Sequence, residues 1–97
     1  MAKGLLEKVV KKEEISDGGF LYTYELILRE GKRTADWRLP LYSVKVSMEG
    51  EDGHRTQREA TDVFMNKEKA VSFFDKLVRN LATPIDLGYV VEDEVIN

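Results

Sequence analysis

The chain has 97 residues, of which 42% are hydrophobic and 34% are charged, a composition typical of a globular domain and not of a disordered or membrane-spanning chain. We therefore expect one domain over residues 1–97, with a core small enough that losing one packed element is serious. The absence of cysteine excludes disulfides, thiolate chemistry and cysteine-bound zinc.

The net charge of −3 is distributed unevenly along the chain. Residues 1–58 carry 11 Lys and Arg against 10 Asp and Glu, whereas residues 59–97 carry 4 against 8. Nucleic acid is bound mainly through Lys and Arg, so this distribution argues against a general nucleic-acid binder. Met1 to Val10 lack the apolar run of a signal peptide, and no stretch of about 20 apolar residues is present. We expect a cytoplasmic protein with no membrane partner.

The first predicted element, residues 5–15, fits two interpretations. Its apolar residues could form one stripe of a helix. However, the pair Val9-Val10 and the turn sequence Ser16-Asp17-Gly18-Gly19 after Ile15 favour a strand that joins the next one by a hairpin. We favour the strand, in which Lys8 and Lys12 share a face, as is typical of a protected sheet edge.

Residues 20–29 and 41–48 alternate between apolar and mixed positions, which predicts two strands with one core-facing side each. The core-facing positions are the even-numbered ones, Phe20, Tyr22, Tyr24, Leu26, Leu28, Tyr42, Val44, Val46 and Met48. Gly31 to Pro40 then forms a loop that holds Trp37. Asp52-Gly53 marks a hairpin turn, and residues 55–65 form a weaker return strand.

Asn66 is predicted to cap an amphipathic helix, because apolar residues recur at steps of three or four from Ala70 to Leu81. Thr83, Pro84 and Asp86 have the spacing of a capped helix start and predict a second, short helix. Its expected buried residues are Ile85, Leu87, Val90 and Val91. These elements predict an α+β fold of two layers, an antiparallel meander of three to four strands packed on one long C-terminal helix plus the short terminal helix.

The stretch from this helix through Val95 carries a recognisable pattern. A helix is followed by Thr83-Pro84, Leu87 and the acidic ending Val90-Val91-Glu92-Asp93. This pattern resembles the C-terminal end of a family of small uncharacterised bacterial proteins, found mainly in spore-forming Gram-positive lineages. That family has no assigned function, so the resemblance implies a position for the acidic ending and no activity.

The candidate metal ligands are few. His54, the only histidine, lies in the predicted turn beside Glu51 and Asp52, which is a poor ligand set, and we expect it to be a solvent-exposed turn residue. The consecutive acids Glu92 to Glu94 cannot converge on one ion, because neighbours on a helix point about 100° apart. We predict no metal and no cofactor.

We expect a non-enzymatic protein, because the constellations that acid–base, nucleophilic and metal chemistry require are missing. A small protein-interaction or regulatory module, forming a homodimer or binding a protein partner, is the favoured function, with no small-molecule substrate evident. The predicted interaction surface is the sheet face opposite the helix, including Leu21, Glu25, Ile27, Arg29, Leu41 and Lys45.

Two alternatives stay open. One is a small enzyme or ligand-binding domain whose polar residues converge only in three dimensions and could include Tyr22, Tyr24, Arg58 and Asp62. The other is weak nucleic-acid binding through the N-terminal half, where the basic residues are Lys8, Lys11, Lys12, Lys32, Arg33 and Arg38.

Overall fold

A computed structural model describes residues 6–30 and 40–89 of the chain. Within these residues the protein forms four strands and two helices: β1 (Leu6–Asp17), β2 (Phe20–Glu30), β3 (Pro40–Gly50), β4 (Arg55–Phe64), α1 (Lys67–Arg79) and a short helix α2 over residues 84–89. The strands form one antiparallel sheet in the order β1-β2-β3-β4. The α+β prediction is therefore confirmed. Trp37, Lys32, Arg33, Arg38 and the acids Glu92 to Glu94 lie outside the described residues.

The first segment is a strand, which decides between the two interpretations of residues 5–15. It pairs with β2 through a hairpin whose turn contains Gly18 and Gly19 at φ 60° and 84°. Residues with a side chain are strained at such positive φ values, so the two glycines allow this tight reversal.

The core lies between the sheet and the two helices. Tyr24, Leu26, Val44 and Val46 are fully buried, as their even-numbered positions predict. Helix α1 covers them with its own apolar side, Ala70, Phe73, Phe74 and Leu77. Each large side chain buried in this way stabilises the fold by about 1.5 to 3 kcal/mol before the loss of conformational entropy.

Both predicted helix starts are confirmed by their caps. The Asn66 side-chain oxygen accepts a 2.9 Å hydrogen bond from the Lys69 backbone N–H. At the start of α2, the Asp86 N–H donates to Thr83 Oγ1 at 3.2 Å, and the Thr83 N–H donates to Asp86 Oδ2 at 3.1 Å. This reciprocal pair is a capping box, which satisfies two amides that the helix itself leaves without acceptors.

Helix α1 has 13 residues and ends before the apolar run does. The Leu81 N–H donates to the Val78 carbonyl at 3.1 Å, and the Ala82 N–H donates to the Leu77 carbonyl at 3.0 Å. This is the bonding of a Schellman motif, and it places Leu81 at φ 52°. The turn stops the helix at Arg79 although Leu81 continues the apolar spacing.

One residue of α2 that was predicted to be buried faces solvent. Leu87 is 1% exposed and contributes to the core, but Ile85 is 64% exposed. Residues two positions apart on a helix point about 200° apart, so a one-sided helix cannot bury both. The burial predicted for Ile85 is therefore wrong, whereas that predicted for Leu87 is confirmed. Val90 and Val91 lie outside the described residues.

A bulge in β1 changes which side chains face the core. The register shifts between Val9 and Lys11, so that Lys8 pairs with Leu28 on the core side while Lys12 pairs with Glu25 on the other side. The prediction that Lys8 and Lys12 share a face is therefore wrong, because an extra residue in a strand reverses the alternation beyond it.

The same bulge directs Lys11 toward the helix. Its ammonium group lies 2.8 Å from Asp75 Oδ1 on α1 and 5.6 Å from the centre of the Phe74 ring. These contacts join the edge strand to the helical layer.

Candidate functional site: the outer face of the sheet

The outer face is the side of the sheet opposite α1 and α2. Antiparallel partners lie side by side on one face, so the pairing register identifies the residues of this side. It includes all six residues of the predicted interaction surface, Leu21, Glu25, Ile27, Arg29, Leu41 and Lys45. None of the elements that the structure describes packs on this face. Its use as an interaction surface stays a prediction.

Four charged residues form one row across the outer face. Lys12 pairs with Glu25, Glu25 with Lys45, and Lys45 with Glu59, so that charges of alternating sign run from β1 to β4. We call these four residues the charge row. Unlike charges on neighbouring strands attract each other, which stabilises this arrangement within the sheet.

Most side chains of the charge row form no ion pair within the part of the chain that the structure describes. Among residues 6–30 and 40–89, the one ion pair made by any of its members joins Lys12 Nζ to Glu14 Oε2 at 3.8 Å. Both groups of that pair are solvent-exposed, and an exposed pair contributes at most about 1 kcal/mol to stability. The four charges can therefore interact with charges from outside the chain.

Apolar side chains lie in the rows toward one end of the same face. Val9 pairs with Ile27 and is 49% exposed. In the next row on this face, Arg29 pairs with Leu41, and the Arg29 Nε lies 3.3 Å from Glu7 Oε2. The face therefore combines apolar and charged groups, as protein interfaces do.

The outer face also contains two serines of β3 whose burial the sequence did not indicate. Ser43 and Ser47 are buried although they lie on the outer face, where Ser43 pairs with the larger Ile27 and Ser47 with Thr23. Ser47 Oγ also accepts a 3.4 Å hydrogen bond from Arg55 Nη2. A small side chain on a central strand is enclosed by longer neighbours, which accounts for the burial of both serines.

The outer face contains a depression of about 310 Å³. Its lining is mostly polar and comes from all four strands: Lys12, Glu14, Leu21, Thr23, Glu25, Lys45, Ser47, Glu49 and Arg55. Three members of the charge row therefore border it.

Tyr24 and Arg58, two of the residues named for the enzyme alternative, lie in different environments. The Tyr24 hydroxyl is buried and donates a 2.8 Å hydrogen bond to the Ala82 carbonyl. Burial, with smaller contributions from Tyr22 and Asp86, raises the pKa of Tyr24 to about 12, so the hydroxyl stays protonated near neutral pH. Arg58 is exposed and borders a groove beside α2.

The turn between β3 and β4 places His54 in solvent, as expected. Its backbone N–H donates to Asp52 Oδ1 at 2.9 Å, and its carbonyl accepts from the Gly50 N–H at 2.9 Å. These bonds are those of a hairpin turn. In the part of the chain that the structure describes, no three His, Cys, Asp or Glu side chains are grouped to hold a metal ion.

The chain matches the model of a protein family over residues 5–97, and that model is described as a family of unknown function, DUF6514. The chain belongs to this family. The match covers the sheet as well as both helices. No curated protein and no solved structure is significantly similar to the chain. Among the described residues, no helix has the length and apolar character needed to cross a membrane.

Proposed function

We propose that this protein is a small non-enzymatic interaction module that binds a protein partner through the outer face of its sheet. The observation that carries the proposal is the charge row, which stands beside the apolar Val9 and Ile27 on a face that no described element covers. A cytoplasmic location in a bacterial cell belongs to the same proposal.

The distribution of roles between the two faces supports this function. The core face holds the aromatic and aliphatic residues that the helices bury, and stability depends on them. The outer face contributes little to that core, so its residue types are free to serve recognition. Charges on such a face set partner choice and association rate, while the aliphatic side chains supply affinity.

The test is affinity capture from the native cell, followed by mass spectrometry, with Ile27→Lys as the disrupting variant. Lysine at this position would place a charged group among the aliphatic side chains of the outer face, and we expect loss of the captured partner or of self-association. Because Ile27 is not part of the helix-packed core, the thermal melt should stay close to that of the parent.

The matched control is Ile85→Lys, which makes the same chemical change at an exposed site on α2. Capture by the control should equal capture by the parent. If Ile27→Lys folds and recovers the same partners as the parent, the outer face is not the interaction surface. If Ile27→Lys does not fold, the assignment of Ile27 to the outer face is wrong.

A further inference from the structure

We propose that the partner is a second copy of this chain, packed outer face to outer face about a two-fold axis that runs parallel to the strands between β2 and β3. This inference rests on the proposed function and adds the identity of the partner and its orientation. Two features of the outer face point to it, the order of signs in the charge row and the side-chain sizes in the two rows beside it.

The charge row is complementary to itself under this rotation. A two-fold axis between β2 and β3 exchanges β1 with β4 and β2 with β3 while keeping each row at its own level. Lys12 then faces Glu59 of the second copy, and Glu25 faces Lys45 of the second copy. All four positions meet the opposite sign, so the dimer contains four attractive contacts and no repulsive one in this row.

The other in-plane two-fold axis, which runs along the charge row, gives the opposite result. Each residue of the row would then face the same residue of the second copy, with Lys12 on Lys12, Glu25 on Glu25 and Lys45 on Lys45. Like charges in direct contact are unfavourable. The alternating signs of the row therefore select the axis parallel to the strands.

The side-chain sizes fit the same arrangement in the two rows on either side of the charge row. The rotation places Ile27 of one copy above Ser43 of the second, and Thr23 above Ser47. The larger side chains of β2 then lie above the smallest side chains of β3, which keeps the two faces free of clashes at these positions. Side chains of two facing sheets interdigitate in this way when the sheets pack about 10 Å apart.

The area of the face is sufficient for a dimer. Strands of this length extend about 36 Å, and four of them span about 19 Å, so two outer faces bury on the order of 1,400 Å² in total. Stable interfaces begin at about 1,200 Å², which places this contact at the lower end of the specific range. We expect the dimer to weaken as salt is added, because part of its affinity comes from charge.

The decisive experiment measures the dimer dissociation constant by sedimentation equilibrium for the parent, for Glu25→Lys, for Lys45→Glu, and for an equimolar mixture of the two variants. Each variant alone creates two repulsive contacts in its homodimer, so we expect dissociation constants raised at least about tenfold. The mixed pair contains only attractive contacts between these positions, and the mixture should recover the affinity of the parent.

Folding of each variant is checked by a thermal melt. Should Glu25→Lys not fold, the same exchange uses Lys12→Glu and Glu59→Lys, which are exposed positions on the edge strands. Recovery of the dimer by mixing either pair cannot arise from a change in the stability of one chain.

The orientation is tested by spin-label distances, which the absence of cysteine makes simple. His54→Cys carries the label in the exposed turn, away from the interface. The axis parallel to the strands keeps the two turns at the same end, with backbones about 15 Å apart, whereas the axis along the charge row separates them by more than about 30 Å. A long distance in a dimer would overturn the proposed orientation.

The outcomes separate this inference from the proposed function. A parent that stays monomeric at about 100 μM would overturn the homodimer, since an interface of this area is expected to associate below that concentration. If Ile27→Lys still abolishes capture of another protein, the proposed function stands with a different partner. A dimer that all outer-face variants leave unchanged uses another surface and overturns the inference. The proposed function is wrong as well if Ile27→Lys also recovers every protein that the parent captures.

Discussion

The Tyr24 hydroxyl on β2 donates a hydrogen bond of 2.8 Å to the carbonyl of Ala82, 58 residues later in the sequence. This bond joins a central strand to the connection between α1 and α2, where both groups are buried. It satisfies a carbonyl that the Schellman turn at the end of α1 places inside the protein. The contact therefore holds the second helix against the sheet.

Tyr24→Phe should lower the free energy of unfolding by about 1 to 3 kcal/mol, because the ring is kept while the buried Ala82 carbonyl loses its donor. Urea denaturation measures the change. Tyr89→Phe is the control, since Tyr89 is 70% exposed and removal of its hydroxyl should leave the midpoint within error. Equal midpoints for the parent and Tyr24→Phe would show that the hydrogen bond adds nothing to stability.

Alkaline pH should destabilise the protein through the same hydroxyl. The pKa of Tyr24 is raised from 10.0 to about 12 by burial, so the folded state favours the protonated group more than the unfolded state does. The resulting stabilisation of the folded state is on the order of 2 to 3 kcal/mol. It is fully present below pH 10 and is lost as the pH rises through about 12. Urea midpoints from about pH 9 to pH 12 should fall less steeply for Tyr24→Phe than for the parent.

Removal of either helix cap should destabilise the fold. Asn66→Ala and Thr83→Ala each leave a helix amide without an acceptor, which costs about 0.5 to 2 kcal/mol. Denaturant midpoints measure the loss. Ser72→Ala, at an exposed position within α1, is expected to be neutral or slightly stabilising because alanine favours helix. Unchanged midpoints for both cap variants would contradict the role of the caps.

Shortening a side chain to alanine should affect stability differently on the two sides of α2. Leu87→Ala removes a side chain that is 1% exposed and should cost about 2 to 5 kcal/mol. Ile85→Ala makes a similar change at a 64% exposed position and should stay within about 0.5 kcal/mol of the parent. Thermal or urea unfolding compares the pair. A loss at Ile85 as large as that at Leu87 would mean that this helix is rotated.

Leu81 provides a test of backbone strain, because it has φ 52° at the end of α1. Leu81→Gly and Leu81→Ala remove nearly the same packing, but only glycine adopts this conformation without strain. We expect the glycine variant to be the more stable by about 1 kcal/mol, the reverse of the usual order within a helix. Urea midpoints compare the two variants, and a more stable alanine variant would indicate that the turn rearranges.

Local sequence determined most of the secondary structure. The alternation along β2 and β3 has a period of two residues, and the turns and caps depend on groups within four residues of one another, as at Thr83 and Asp86. Interactions of such short range are encoded in the order of the residues and need no knowledge of the rest of the fold. The strands, the hairpins and both helix starts could therefore be predicted.

Only the tertiary structure decided how these elements combine. The bulge after Val9 reversed the faces of β1, which placed Lys11 against Asp75 and Lys12 beside Glu25. The charge row could not be predicted from the sequence, because its members lie on four strands and become neighbours only when the register is fixed. Register depends on the packing of the whole sheet against the helices, and one additional residue in a strand moves every later side chain to the other face.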